Sequence, residues 1–257
     1  MKIRILSLSL LAIFIATSCA SRKDLVYFQD KPQVSGQIKS APEQLIYKPD
    51  DILTINVTAA DPAAAIPFNL TVVTGGEDLI NLSGGTRMQT YLVDFNGNIE
   101  FPTLGTIHIA GLTRIEATNM LKDKISEYVK DPIVNIRLVN FRVTIIGEVS
   151  RPGTYTLQNE RITLLEALGL ASDLTIYGKR TNVLLIREVD GAKKFAKIDL
   201  TSINAVNSPL YYLQQNDVIV VEPNNARIRS SNYNQNNAVL ISAIGTLTTI
   251  VAVFLIK

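Results

Sequence analysis

The sequence predicts an α+β chain: two similar units, each a small mixed sheet on one helix, closed by an apolar helix. Three observations carry this. Short β-rich runs punctuated by turn residues recur across 47–223. Two T-x-x-E-A boxes, Thr113–Ala117 and Thr163–Ala167, lie fifty residues apart. Residues 238–256 run nineteen positions without a charge.

Composition bounds the rest. At 257 residues the chain holds one or two domains. An apolar fraction of 47% against 19% charged excludes wholesale disorder. A formal charge of +2 argues against a nucleic-acid partner, which calls for a basic excess. One Cys and one His exclude a disulfide scaffold, a Cys-based zinc cluster and most His-rich metal sites.

Residues 1–18 read as an export signal: Lys2 and Arg4, then the short apolar run Ile5–Ala16. Thr17 and Ser18 lead to Cys19, the arrangement of a bacterial lipoprotein signal, cleaved before Cys19 and acylated on it. The alternative is an ordinary secretory signal with an incidental thiol. Cleavage leaves 23 basic and 23 acidic side chains, so net charge does not steer an anionic partner. Residues 19–46 show little periodicity and read as a tether of low order.

The first unit covers 47–146. It opens on Tyr47-Lys48-Pro49-Asp50-Asp51 and the β-rich run Ile52–Val57. Residues 58–90, rich in Ala, Pro and Gly, read as a long excursion. Tyr91–Asp94 and Ile99–Phe101 flank Asn96-Gly97, a hairpin turn pair. Ile107–Ile109 is a further short strand. Thr113 and Glu116 form a capping box, followed by a helix with Ala117, Met120, Leu121, Ile125 and Tyr128 on one face. Ile133–Leu138 and Phe141–Ile146 read as strands.

The second unit, 147–223, begins Gly147-Glu148-Val149 and turns at Pro152-Gly153. Thr163 and Glu166 start a short helix ending near Leu170. Val183–Ile186 and Phe195–Ile198 flank Asp190-Gly191. The closing run Asp217–Val221 echoes Asp51–Ile55. Residues 224–237, with six Asn in fourteen positions, are a polar linker.

The run 238–256 predicts a transmembrane helix roughly 28 Å long, close to the ~30 Å of a bilayer's hydrocarbon core. Ser242, Gly245 and Thr249 share one stripe, with Thr246 at its border. Small residues and hydroxyls at this spacing suit a helix-packing face or the wetted inner face of a ring of helices. A plain lipid-facing anchor is the alternative.

No catalytic constellation is evident. His108 alternates with Ile107 and Ile109, so it points outward from a strand. Asp50-Asp51 could pass for the carboxylate pair of a glycoside hydrolase, but adjacent residues at a strand start diverge and a turn is the better reading. No metal-ligand spacing and no cofactor motif are present.

The run Asp94, Gly97, Ile99, Pro102, Gly105, Ile107, Gly111, Leu112, Thr113 resembles the polysaccharide export domain of outer-membrane capsule and exopolysaccharide secretion lipoproteins, the Wza-like family. Gly147-Glu148-Val149, Pro152-Gly153, Tyr155 and Thr163–Leu168 resemble the SLBB module, a β-grasp fold. The resemblance implies a non-enzymatic subunit of an outer-membrane channel that exports capsular polysaccharide or exopolysaccharide. It also implies a ring-shaped homo-oligomer, often octameric, with its main body in the periplasm. Carboxyl-terminal helices would line a pore, and the ring would dock on an inner-membrane polysaccharide co-polymerase or tyrosine autokinase. A membrane-anchored periplasmic glycan-binding module without a pore is the other reading. Three departures stand: Asp50-Asp51 replaces the family's Gly-Asp, one SLBB copy is present, and the last helix is more apolar than an amphipathic pore lining.

Overall fold

The computed structural model describes residues 25–30, 44–69, 71–72, 87–88, 90–189, 191–231 and 235–256. The elements of the first half are β1 (Ile52–Thr58), α1 (Pro62–Ala65), β2 (Thr71–Val72), β3 (Arg87–Met88), β4 (Tyr91–Leu92), β5 (Asn98–Phe101), β6 (Gly105–His108), α2 (Arg114–Ser126) and β7 (Ile133–Leu138). The second half holds β8 (Arg142–Gly147), β9 (Gly153–Thr156), β10 (Ile162–Thr163), α3 (Leu164–Leu170), β11 (Gly178–Val189) and β12 (Ala192–Ile198). It continues with α4 (Asn204–Asn207), β13 (Tyr212–Leu213), β14 (Val218–Pro223), α5 (Asn225–Ser231) and α6 (Gln235–Ile256).

The first unit is an antiparallel sheet ordered β4-β1-β7 under α2. Alternation builds it: β1 buries Leu53, Ile55 and Val57, and β7 buries Val134, Ile136 and Leu138. Register Leu53↔Leu138 to Thr58↔Ile133 puts both sets on one face. α2 covers that face with Ala117, Leu121 and Ile125, four residues apart and all 0% exposed. Truncating such a buried Leu or Ile to Ala costs about 2–5 kcal/mol. Both arms of the Thr113–Glu116 capping box form, and Tyr128, read onto the buried face, is 60% exposed.

The second unit is a five-stranded sheet, β12-β11-β14-β8-β9. Its strands are antiparallel except β14 with β8, which pair in parallel from Val218↔Thr144 to Val221↔Gly147. The run Phe141–Ile146 thus feeds the second sheet. Gly147 ends the parallel pair at φ +95, and a Cβ there would lie 2.1 Å from the Val221 carbonyl oxygen. Residues 25–30, part of the expected tether, lie against this unit: Phe28 and Gln29 amides donate to the Leu200 and Thr201 carbonyls at 3.2 and 2.6 Å. Tyr27 Oη donates to Asp173.

The expectation of a transmembrane helix over 238–256 is corrected. A helix forms there, but among the described residues no helix is long and apolar enough to cross a membrane. The part of α6 whose side chains are described, Val239 and 241–250, is broken by Ser242, Gly245, Thr246, Thr248 and Thr249. A span needs ~20 consecutive, predominantly apolar residues, and these small and hydroxyl-bearing positions interrupt the run.

Candidate functional site

Two turns of one design meet where the units join. In the first, Asp50 sits at φ 70 and the Asp51 carboxylate accepts from the Lys48 amide at 2.9 Å. In the second, Asn216 sits at φ 65 and the Asp217 carboxylate accepts from the Gln214 amide at 2.8 Å. Asp is suited to both, since its side chain closes a turn on its own backbone. Asn140, between β7 and β8, ties the turns together. Its Oδ1 accepts from Ile52 N at 2.9 Å, its Nδ2 donates to the Asp50 carbonyl at 2.9 Å, and its own carbonyl accepts from Gln215 Nε2 at 2.8 Å. Lys48 Nζ donates directly to Gln214 Oε1 at 3.3 Å.

The two carboxylates differ in surroundings. Asp217, fully buried, takes a two-pronged bond from Arg187, at 3.0 Å from Nε and 2.7 Å from Nη2. Burial pushes its carboxyl up, and Arg187 and the Gln214 amide pull it back. Among the described residues no arginine bonds to Asp51. Burial pushes its carboxyl up to about 6, against the Lys48 amide and ammonium and with help from Asp50.

Beside the joint lies an open polar cleft of about 470 Å³. The first unit contributes Arg114, Asn135 and Arg137; the second contributes Gln158, Glu160 and Arg161 from the loop before β10. Arg137 is placed by strand alternation, on the face of β7 opposite Ile136. Arg114 is the first residue of α2, held there by the cap at Thr113. Glu160 lies 3.5 Å from Arg114 and accepts from the Leu138 amide at 3.4 Å. The Arg161 guanidinium lies 3.9 Å from the centroid of the Tyr212 ring.

Cys19 and the signal segment 1–18 lie outside the described residues. Ser242, Gly245, Thr246 and Thr249 fall on one side of α6 and are exposed. The Thr246 hydroxyl donates to the Ser242 carbonyl at 2.8 Å, and that of Thr249 to the Gly245 carbonyl at 2.8 Å. His108 is exposed on β6, with Nδ1 3.0 Å from Asn98 Oδ1. Asp50-Asp51 is a turn, with one carboxylate buried and the other exposed. The arginine cleft escaped the sequence reading. Its one local signal was the outward register of Arg137; the rest comes from the packing of two units.

Residues 39–139 match the family model described as polysaccharide biosynthesis/export protein, and residues 141–221 match the SLBB domain model. The chain is similar to two curated relatives, both named EPS I polysaccharide export outer membrane protein EpsA. That of Ralstonia solanacearum is 28% identical over 178 residues, covering 67% of this chain and 46% of the relative. That of Ralstonia nicotianae is 33% identical over 141 residues, covering 53% and 37%. The chain thus spans less than half the length of each.

Proposed function

We propose, from the premise that residues 39–139 belong to the polysaccharide biosynthesis/export family and residues 141–221 to the SLBB domain family, that this chain is a subunit of an outer-membrane apparatus exporting an exopolysaccharide. The observation that carries the reading is the succession of these two domains in one chain, residues 39–139 and then 141–221. The family is a transport component, so the chain moves its glycan without covalent change and is not an enzyme.

The proposal extends to a lipid anchor at Cys19 after removal of 1–18, to a body in the periplasm, and to a ring of identical copies facing an inner-membrane co-polymerase or tyrosine autokinase. It includes a helix-packing face at Ser242, Gly245, Thr246 and Thr249. In support, the described side chains of α6 are exposed, Val239 at 69% and Leu247 at 66%, so the helix has apolar surface left to bury. Its threonine hydroxyls are satisfied within the helix, which lets that side enter a contact at little desolvation cost.

Deletion of the gene tests the function. Secreted polysaccharide should fall to background and return on complementation; unchanged secretion overturns the reading. Native mass of the gently extracted protein tests the ring. A lone subunit would favour a glycan-binding module without a pore.

A further inference from the structure

We infer that the cleft of Arg114, Arg137 and Arg161 is a binding site for the carboxylate groups of an acidic polysaccharide. Three guanidinium groups share about 470 Å³ with one carboxylate, Glu160. That is a local excess of two positive charges in a chain whose total is +2. Like charges that line one cleft repel, more so beside protein than in bulk water, and an anion between them relieves the repulsion.

The arginines are poised rather than spent. Glu160 engages Arg114 at 3.5 Å, and the Arg137 side chain makes no hydrogen bond or ion pair among the described residues. The Arg161 guanidinium carbon lies over the Tyr212 ring, 3.9 Å from its centroid, which holds the group in place and leaves its N–H groups to donate at the rim. A planar guanidinium held this way matches a carboxylate with two parallel bonds. In the same field, the fully buried Tyr47 hydroxyl has no hydrogen-bond partner among the described residues; burial, then Glu160, pushes it up.

Asn135 and Gln158 supply neutral donors and acceptors to the same cleft, suited to sugar hydroxyls. The cleft is open and its arginines are exposed, so it can hold an interior segment of a long polymer as well as an end. That the polymer is a glycan rests on the proposed function. That it is a carboxylated one, such as a uronic acid chain, rests on the cleft.

The test uses the purified full chain and three probes: oligogalacturonate, a neutral dextran oligosaccharide of equal length, and inorganic phosphate. By calorimetry the oligogalacturonate should bind with an affinity that falls with salt, and the dextran should not. Arg137→Gln and Arg161→Gln should each weaken binding roughly tenfold. Both positions are exposed, and unchanged melting curves show that the variants fold. The inference is overturned by no uronate binding, by equal binding by the variants, or by phosphate competing as well as the uronate. Loss of self-association in the variants without any loss of uronate binding also overturns it, since the cleft would then seat a second copy of the chain. If gene deletion abolishes secretion while uronate fails to bind, this inference falls alone. If secretion survives deletion while uronate binds, the export reading falls alone.

Discussion

Asp51 and Asp217 hold the same place in two copies of one turn. Each follows a residue at positive φ, starts or precedes a strand, accepts from the amide three residues back, and returns its own amide to that residue's carbonyl at 3.2 Å. Among the described residues, an arginine pairs with Asp217 and none with Asp51. Replacing Asp217 with Asn leaves the Arg187 guanidinium, 7% exposed, facing a neutral amide. Breaking a buried pair from one side costs about 3–5 kcal/mol. Asp217→Asn should therefore lower the urea midpoint far more than Asp51→Asn. Equal losses would mean that the shared turn, and not the ion pair, dominates.

Asp51 carries a pH dependence that Asn lacks. Its folded carboxyl titrates near 6, above the ordinary value of 3.8, because burial outweighs the Lys48 ammonium and amide. The folded chain holds that proton more tightly than the unfolded one. The contribution is full below about pH 4 and is lost as pH rises through 6. Asp51→Asn should gain stability relative to the parent between pH 4.5 and 7.5, on the order of 1–3 kcal/mol. A difference constant across that interval would show the carboxyl ionised throughout.

Asn140 should act as a joint. Alanine there removes an acceptor from Ile52 N and a donor from the Asp50 carbonyl. Leaving such groups unpaired costs about 1–3 kcal/mol. The bond from Gln215 goes to the backbone carbonyl of residue 140 and survives, so hydrogen exchange in Asn140→Ala should speed up at Ile52. Core amides of β1, such as Ile55, should keep their exchange rates. Uniform acceleration across both sheets would instead mark a global loss.

What was legible in the sequence is what depends on neighbours a few residues away. Both capping boxes form because Thr113 with Glu116, and Thr163 with Glu166, need only the first turn of a helix. The Asn96-Gly97 turn forms because Gly97 can take φ +82. The reading of Asp50-Asp51 as a turn holds for the same reason. The parallel pairing of β14 with β8 joins residues more than seventy positions apart and leaves no local trace. Arg187 and Asp217 are thirty apart, and nothing at either position announces the other. The arginine cleft needs both units in place. Over 238–256 the uncharged run read as a span, because absence of charge marks an apolar segment without deciding what it packs against.

The parallel pair offers a further test at Gly147. Any Cβ there meets the Val221 carbonyl oxygen at 2.1 Å, and that oxygen is already committed to the Glu148 amide at 2.9 Å. Backbone φ of +95 adds conformational strain for a residue other than Gly. Gly111 separates the two effects. It sits at φ +82 with nothing within 4 Å of a built Cβ. Gly111→Ala should cost about 1–2 kcal/mol, the strain alone. Gly147→Ala should cost more than that, since β8 and β14 must part to admit the methyl. Thermal melts of the two variants compare them directly, and equal losses would show that backbone strain alone accounts for both.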